Sequence, residues 1–528
     1  MVVTGGRALV AALVAHGVDT VFGIPGTHNL EIYRHLAEFS VRHVGVRHEQ
    51  GAGYAADGYA RVSGRPGVAV VTTGPAVLNA AAAVGQAWSD SVPLLLVSPG
   101  VPLRHPALGN GLLHETRDQS AALAHIAAYS HRVTSVAEIP VAVAQAFSSM
   151  TTGRPRPVHL EVPLDILLEE GTAPVVVPVS MSPSTPLDEK VAEAADRLER
   201  AERPAIIVGG GARGAVEPVR GLAERLGAPV VTTTNGKGVL AEDHPLALGA
   251  GIHLPAVRAL VEESDVVLVI GSELASSDLW NGPLPLAGKL IRIDIDTAAI
   301  VTNAIPDVAV VGDATVVTQE LCRRLGPRAA DSSASRAAGH REQKRVQAAA
   351  QGAEWMEVVD ALAAAMPRDA IVAADSAMVC YYGALANLPV HRPSGFLYPT
   401  GYGTLGYGLP AAIGAKAALP DAPVMALLGD GGVMFTVAEL ASAATRRIPL
   451  PVVIVDNGGY GEIRNEMVDR TDPVHAVDLD SPDFAALAVT LGCIGVTPAD
   501  PEGLTAAVEK AFDADRPTVV HVRHRRMS

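Results

Sequence analysis

The sequence predicts an α/β fold made of three doubly wound domains, each built on a parallel sheet. Short apolar runs without polar interruption, such as residues 265–271 and 424–429, are typical of strands buried on both faces of such a sheet. These runs alternate with segments of helical composition along the chain. The length of 528 residues favours three domains, and 51 glycines with 38 prolines suit a layered fold with many tight turns.

The first block, predicted to span residues 1–170, alternates helices and strands from its start. A proline-rich passage leads into its last strand, and a low-charge connector follows over residues 171–185. The segments predicted in this block are helices at 6–16 and 29–39 and strands at 20–23, 41–46 and 158–162.

The second block, predicted over residues 186–328, has the same alternation. Its apolar strands are predicted at 205–211, 229–233, 265–271 and 290–296. Residues 327–352 are rich in Ala, Ser and Arg, and they are interpreted as a second linker with some helical character. The third block then spans residues 354–528.

Composition excludes several classes of partner. The net charge of −15 argues against nucleic acid and anionic membranes. No apolar stretch is long enough for a membrane span, and the amino terminus lacks a signal-peptide pattern, so a cytoplasmic protein is expected. The three cysteines, Cys322, Cys380 and Cys493, have no metal-ligand spacing.

The most informative segment pairs two buried strands in the third block. The strand before Asp430 and the strand before Asn457 flank a segment, 435–447, of helical composition that ends in two arginines. Such a crossover returns the second strand parallel to the first, which places Asp430 and Asn457 about 5 Å apart if the strands are neighbours. A carboxylate, an amide oxygen and a loop carbonyl suit a hard divalent cation. The glycines around Asp430 let backbone amides approach a diphosphate; these are Gly429, Gly431 and Gly432.

Gly-Asp-Gly followed by Asn457, 27 residues after Asp430, resembles the thiamine-diphosphate binding motif. The resemblance implies thiamine diphosphate and Mg²⁺ as cofactors, with Asp430, Asn457 and Gly459 as metal ligands. Tyr460 and Gly461 would lie beside the cofactor. A lone Gly-Asp-Gly in an ordinary strand–helix turn is the alternative interpretation.

The first block contains a second matching segment, in which Arg-His-Glu49 ends a strand and opens a helix rich in Gly and Ala. This pattern resembles the activating-glutamate segment of thiamine enzymes. Glu49 would hydrogen-bond the aminopyrimidine ring and favour the imino tautomer that removes the proton from carbon 2. Pro25, Thr73 and Asn79 match the same side of the cofactor site. Standing alone, Glu49 would be explained by the helix dipole and capping.

A glycine-rich segment in the third block, residues 401–414, matches the segment that bends the cofactor in these enzymes. Leu405 occupies the position of the apolar wedge between the two rings, and Gly403 would offer its carbonyl to the pyrimidine amine. Thr404 and Ser376 are predicted to contact the cofactor as well. Core packing is the alternative role for Leu405.

The resemblance covers almost the whole chain and identifies it with the superfamily of acetolactate synthase, pyruvate decarboxylase and benzaldehyde lyase. The three blocks are then the pyrimidine-binding, central and diphosphate-binding domains. Because the family forms its active site between the first domain of one subunit and the third of another, at least a homodimer is implied, with a homotetramer expected. FAD is not expected, although residues 209–211 lie in the domain that binds flavin in acetolactate synthases, because many relatives keep that fold without flavin. The same glycines fit a dinucleotide-binding spacing, but a poor helix start follows them.

The substrate is less clearly indicated. His28, His114 and Gln119 fall in loops that carry active-site residues in relatives, and either histidine is suited to proton relay. The chain looks closest to 5-guanidino-2-oxopentanoate decarboxylases in three patterns: Tyr-x-Glu-Ile-Arg at 460–464, Leu-His-Glu at 113–115, and Asp-Ser376 followed by Tyr381-Tyr-Gly. A guanidinium needs carboxylates, and Glu115, Glu462 and Glu466 are available as substrate contacts. Hydrogen bonding of the histidines within surface loops, and pairing of the acids with neighbouring arginines, are the alternatives.

The function predicted from these resemblances is decarboxylation of a small 2-oxo acid, dependent on thiamine diphosphate and Mg²⁺, through a ylide and an enamine. Carbon–carbon bond formation like that of acetolactate synthase, or cleavage like that of benzaldehyde lyase, uses the same intermediate and stays open. A non-catalytic cofactor-binding protein is a further alternative, which would not need Glu49.

Overall fold

The computed structural model describes residues 2–105, 109–178, 181–326 and 333–524. It contains three α/β domains, and each holds a six-stranded sheet in which all paired strands are parallel. The predicted fold class is therefore confirmed. Parts of the predicted connectors 171–185 and 327–352, and the end of the third block, lie outside the described residues. Among the described helices, none is long and apolar enough to span a lipid bilayer.

The first domain has the sheet order β3-β2-β4-β5-β7-β6, and a separate antiparallel pair, β1 with β8, joins its two ends. Its elements are β1 (Val2–Thr4), α1 (Gly5–Ala15), β2 (Thr20–Gly23), α2 (Leu30–Leu36), β3 (Arg42–Gly45), α3 (Glu49–Ser63), β4 (Gly67–Val70), α4 (Pro75–Ser89), β5 (Leu94–Gly100), α5 (Gln119–Ala124), β6 (Tyr129–Arg132), α6 (Ile139–Thr151), β7 (Val158–Pro163), α7 (Leu164–Leu168) and β8 (Glu170–Thr172).

The second domain has the sheet order β11-β10-β9-β12-β13-β14. The predicted strand at 205–211 ends at Val208, because the glycines after it form a 3₁₀ turn, Gly210–Ala212. The elements are α8 (Asp188–Arg200), β9 (Pro204–Val208), α9 (Val216–Leu226), β10 (Val230–Thr232), β11 (Ala247–Ala250), α10 (Pro255–Glu263), β12 (Val266–Ile270), β13 (Leu290–Asp294), β14 (Val308–Val311) and α11 (Ala314–Arg324), followed by the connecting helix α12 (Ser333–Gln351).

The third domain has the sheet order β16-β15-β17-β18-β20-β19. Its elements are α13 (Met356–Ala365), β15 (Ile371–Ala374), a π-helical segment (Val379–Ala384), α14 (Leu385–Asn387), β16 (Phe396–Leu397), α15 (Gly408–Ala418), β17 (Val424–Gly429), α16 (Asp430–Val433), α17 (Glu439–Thr445), β18 (Pro451–Asp456), α18 (Gly461–Asp469), α19 (Phe484–Thr490), β19 (Ile494–Val496), α20 (Pro501–Phe512) and β20 (Thr518–Arg523).

The helix predicted at 435–447 differs from the observed one. A short helix, α16, begins at Asp430, and α17 begins only at Glu439. Between them the backbone makes i→i+3 turns, and the hydroxyl of Thr436 donates to the carbonyl of Gly406. This side-chain contact holds the chain in a turn where composition alone favours a helix.

The first and third domains share one hydrophobic core within a single chain, which includes Ala55 on α3 and Ile413 on α15. Helices α3 and α15 approach each other closely at glycines. A Cβ atom on Gly414 would overlap the carbonyl oxygen of Ala55, and one on Gly58 would overlap the carbonyl oxygen of Ala411. The glycines of α3 and α15 therefore allow the first and third domains to approach this closely.

We expect Gly414→Ala to destabilise the chain by about 2 kcal/mol or more, because the added methyl has no space against backbone. The matched control is Gly339→Ala, since Gly339 lies in α12 with no atom near its missing Cβ. That change should be neutral or stabilising by up to about 1 kcal/mol. Thermal unfolding of both variants checks this expectation, and equal midpoints would contradict the packing described for α3 and α15.

Candidate active site

The metal ligands predicted from the sequence lie at the carboxyl ends of two adjacent strands. β17 pairs in parallel with β18, with Gly429 opposite Val455. Asp430 follows the first strand directly, and Asn457 follows the second. The strand ends therefore bring a carboxylate and an amide together at the edge of the sheet where α/β folds bind ligands.

The side-chain amide of Asn457 meets two oxygen atoms at this edge. The amide atom facing them lies 2.9 Å from the carbonyl oxygen of Gly459 and 3.0 Å from Oδ1 of Asp430. With its nitrogen turned inward, the amide donates to both oxygens. With its oxygen turned inward, the three groups form an all-oxygen set, which is the ligand chemistry of a hard divalent cation. The residues present therefore fit Mg²⁺.

Asp430 is held in place by a residue that the sequence did not indicate. The hydroxyl of Ser481 donates to Oδ2 of Asp430 at 2.9 Å, which leaves Oδ1 toward Asn457. Asp430 is only 2% exposed, and burial, with a smaller effect from Asp456, raises the pKa of its carboxyl. A cation beside Oδ1 would favour the charged form.

Two glycines leave space beside the candidate metal set, which consists of Asp430, Asn457 and the carbonyl of Gly459. Gly459 has φ of 131°, and a Cβ atom there would overlap the carbonyl oxygen of Val477. A Cβ atom on Gly431, in the first turn of α16, would lie 2.8 Å from the ring of Tyr460. The amides at the start of α16 are therefore accessible to an anionic group such as a diphosphate.

A cavity of about 260 Å³ joins the metal set to the glycine-rich loop. Leu405 and Gly403 line one side of it, and Tyr381 and Glu462 line another. Of the residues predicted for the cofactor in this domain, Thr404 does not line the cavity, because its hydroxyl bonds that of Tyr54 on α3. The remaining predicted residues on its wall are Ser376, Gly429, Asp430, Gly431, Gly432, Asn457, Gly459, Tyr460 and Gly461.

Asp375 fixes the loop that carries Leu405. The fully buried carboxylate accepts from the N–H of Gly406 at 3.1 and 3.0 Å and from the N–H of Ser376 at 2.8 Å. Burial raises the pKa of this carboxyl to about 6, against the effect of these amides. The strand-end rule that indicated Asp430 applies equally to Asp375, which directly follows β15.

In the first domain, Glu49 opens α3 and is half-buried. Nδ2 of Asn79 donates to Oε2 of Glu49 at 2.9 Å, so two predicted cofactor residues contact each other. Glu439 holds the approach to this helix: it is 0% exposed and accepts from the N–H groups of Arg47 (3.0 Å) and His48 (3.1 Å). The third domain thus positions the glutamate of the first domain through a buried carboxylate.

The two predicted histidines lie side by side although they are far apart in sequence. The rings of His28 and His114 have centroids 5.0 Å apart at an angle of 81°. Both Nδ1 atoms are buried without a hydrogen-bond partner among the described residues. Burial, and then the charge of His114, lower the pKa of His28, so its imidazole is neutral near pH 7.

Gln119 and Glu115 make hydrogen bonds within the first domain. The Gln119 amide accepts from the N–H of Gly74 (3.0 Å) and donates to Ser98 and to the carbonyl of Pro99. Glu115 accepts from the N–H of Gly111 at 2.9 Å. These contacts hold in place the segments beside Thr73 and His114. Direct contacts of Gln119 and Glu115 with the substrate stay predictions.

The acids on α18 do not pair with the arginine beside them. Arg464 instead contacts Asp478 at 2.8 Å. Oε1 of Glu462 accepts from the hydroxyl of Tyr382 at 2.7 Å. Glu466 is exposed, four residues along the same helix face from Glu462. Glu462 is therefore the acid of α18 that lies on the cavity wall.

The two halves of the predicted site do not meet within one chain. The cavity around Asp430 is lined, among the described residues, only by positions between 355 and 463. Pro25, His28, Glu49, Thr73, Asn79 and His114 belong to the first domain and do not reach it.

A second cavity, of about 610 Å³, lies where the three domains meet. Gly210 and Gly211 line it, together with Arg61, Arg154 and Arg213. It is separate from the metal set at Asp430, and the expectation that FAD is not bound stays a prediction.

Three family models match successive parts of the chain. The thiamine pyrophosphate enzyme N-terminal TPP binding domain matches residues 3–122, the central domain matches 191–321, and the C-terminal TPP binding domain matches 377–522. Their order is that of the three observed domains.

Similar proteins span nearly the full chain. It is 43% identical over 526 residues to the probable 2-ketoarginine decarboxylase AruI of Pseudomonas aeruginosa, covering 99% of this chain and 94% of that protein. It is 35% identical over 555 residues to the acetolactate synthase large subunit of Parasynechococcus marenigrum, covering 99% and 88%. It is 33% identical over 550 residues to the probable acetolactate synthase large subunit of Methanocaldococcus jannaschii, covering 98% and 91%.

Proposed function

The chain belongs to the thiamine pyrophosphate enzyme family, and on that premise we propose that it decarboxylates a 2-oxo acid with a guanidinium side chain. Family membership confirms the resemblance found in the sequence and makes the chain an enzyme, so the alternative of a non-catalytic binding protein is not retained. The observation that carries the substrate proposal is the carboxylate of Glu462 on the wall of the cofactor cavity.

We assign the cofactor contacts of the third domain as follows. The N–H groups around Gly431 and Gly432 bind the diphosphate, and Asp430, Asn457 and the Gly459 carbonyl bind Mg²⁺. Leu405 and Gly403, which line the cavity, would contact the rings of the cofactor and hold them in place. Thiamine diphosphate supplies the carbon nucleophile and the electron sink for breaking the bond to the carboxylate.

The residues of the first domain act on protons. Glu49, oriented by Asn79, would hold the aminopyrimidine ring of the cofactor through a hydrogen bond and supply an acid–base group beside it. His28 is neutral near pH 7 and so accepts a proton, and His114 lies beside it to relay that proton. Both histidines are assigned to the carbonyl side of the substrate.

These two sets of residues are brought together by a second copy of the chain. Neither set reaches the other within one chain. Exposed apolar side chains flank both sets, as expected for surfaces that become buried on assembly. They are Leu30, Leu78 and Leu113 on the first domain and Tyr402, Met434 and Phe435 on the third. The proposed assembly is a homodimer at least, with a homotetramer expected, and the cytoplasm is the proposed location.

Release of carbon dioxide from a panel of 2-oxo acids tests the proposal. Holoenzyme should act on 2-ketoarginine, which is 5-guanidino-2-oxopentanoate, with a higher kcat/KM than on pyruvate, benzoylformate or branched-chain 2-oxo acids. Removing Mg²⁺ with EDTA or omitting thiamine diphosphate should abolish release, and adding both back should restore it. No release from 2-ketoarginine by cofactor-loaded enzyme would overturn the substrate assignment.

Carbon–carbon bond formation is the second candidate, because two relatives of similar length are acetolactate synthases. Two separate assays distinguish it: acetolactate formation from pyruvate alone, and carbon dioxide release from 2-ketoarginine alone. A higher rate in the first assay than in the second would favour the synthase. A benzaldehyde-lyase type of activity would appear as cleavage of an acyloin with no 2-oxo acid turned over.

A further inference from the structure

We infer that Tyr382 is a positioning residue that orients Glu462 toward the terminal cation of the substrate, and that the central domain holds Tyr382 in place. This inference rests on the proposed function, since it specifies how the guanidinium end is recognised. The sequence motif Tyr381-Tyr-Gly contains Tyr382 but gives it no role, and Trp280 and His253 of the central domain belong to none of the motifs.

The backbone around Tyr382 has an unusual conformation. Residues Val379–Ala384 form a π-helix, a conformation that is rare and concentrated at functional sites. Within this π-helix, the rings of the consecutive residues Tyr381 and Tyr382 have centroids 4.7 Å apart at an angle of 71°. Tyr381 lines the cofactor cavity, and Tyr382 is not among the described residues on its wall.

Glu462 is held from this π-helix. The hydroxyl of Tyr382 donates to Oε1 of Glu462 at 2.7 Å. Burial, and then the contact with Glu462, raise the pKa of Tyr382 far above its ordinary value, so its hydroxyl stays a donor. The Tyr381 hydroxyl also interacts with Glu462, so the two tyrosines together hold this carboxylate at the cavity wall. Its position in the first turn of α18 favours the negative charge that would attract a guanidinium.

Residues of the central domain contact the aromatic ring of Tyr382. Trp280 packs perpendicular to the Tyr382 ring at 5.8 Å, and His253 stacks on Trp280 at 3.9 Å. His253 in turn contacts Oε1 of Gln351, the last residue of α12, at 3.0 Å. This chain of contacts runs from the interdomain helix to Glu462.

The aromatic rings also suit the charge of the proposed ligand. Tyr381 presents its ring to the cavity beside Glu462, and a guanidinium is attracted to an aromatic face as well as to a carboxylate. Glu466 and Asp469 continue the negative charge along the face of α18 near Tyr382. A neutral group of the same shape would gain much less from this environment.

The test compares 2-ketoarginine with its ureido analogue, in which an oxygen replaces the cationic nitrogen. Glu462→Gln should reduce the preference for the guanidino acid, as a ratio of kcat/KM values, by about 100-fold. Tyr382→Phe should reduce it by about tenfold, through a higher KM for the guanidino acid alone. Trp280→Ala should resemble Tyr382→Phe, and Trp280→Phe should restore most of the preference.

Tyr129→Phe is the matched control, because the Tyr129 hydroxyl is buried on β6 without a hydrogen-bond partner among the described residues. The affinity for thiamine diphosphate should be unchanged in Tyr382→Phe, since Tyr382 does not line the cofactor cavity. Equal losses for both acids, weakened cofactor binding, or an unchanged preference would overturn the inference. Wild-type enzyme that releases carbon dioxide only from other 2-oxo acids would instead overturn the proposed function itself.

Discussion

Glu49→Gln is expected to lower kcat by about 10²–10⁴-fold, the usual contribution of a positioned acid–base group. Gln keeps the size of the side chain and a contact with Asn79, but it has no negative charge and cannot act as an acid–base group toward the cofactor. The affinity for thiamine diphosphate should change much less, because the residues proposed to bind the diphosphate and the metal lie in the third domain. Steady-state carbon dioxide release and a cofactor titration on the same preparation check both parts.

The matched control is Glu38→Gln, since Glu38 lies on the surface of the same domain and pairs with Arg7. It should retain wild-type kcat. Wild-type activity in Glu49→Gln as well would contradict the role given to this residue. Loss of folding in Glu49→Gln alone would point to the capping role instead.

Asp430→Ala is expected to weaken Mg²⁺-dependent binding of thiamine diphosphate by more than about 100-fold, because it removes a residue that we propose as a direct metal ligand. Ser481→Ala should cost about tenfold, since it removes only the hydroxyl that orients Asp430. Calorimetric titration with and without Mg²⁺ separates the two contributions. Asp421→Ala, at an exposed position after α15, is the control and should bind as the wild type does.

Chelation provides a second arm of this experiment. Wild-type chain in EDTA should bind thiamine diphosphate as weakly as Asp430→Ala does in Mg²⁺. Tight binding by Asp430→Ala in the presence of Mg²⁺ would contradict the assignment of the metal set.

The residues predicted from sequence are those governed by local rules. Asp430 and Asn457 each follow a buried strand, so the geometry of a parallel pair was enough to bring them together. The Glu49 segment was recognised because a strand end, a carboxylate and a small-residue helix are contiguous in the chain. The three parallel sheets follow from uninterrupted apolar runs in the same way.

The residues that were missed act across long separations in sequence. Glu439 caps the approach to α3 from a different domain, and its own segment resembles an ordinary amphipathic helix. Tyr382 is part of the Tyr381-Tyr-Gly motif, but its contact with Glu462 was missed, since it lies in a π-helix for which local composition gives no signal. The turn before α17 likewise depends on a bond from Thr436 to a distant carbonyl.

The central claim is that one active site combines Glu49 of one copy with Asp430 of another. Co-expression of Glu49→Gln and Asp430→Ala chains tests it most directly, because a mixed dimer then contains one intact site. Random pairing should restore about a quarter of the wild-type kcat to a mixture of two variants that are each nearly inactive. Activity no higher than that of the separate variants, in a preparation where mixed dimers are demonstrated, would contradict the shared site.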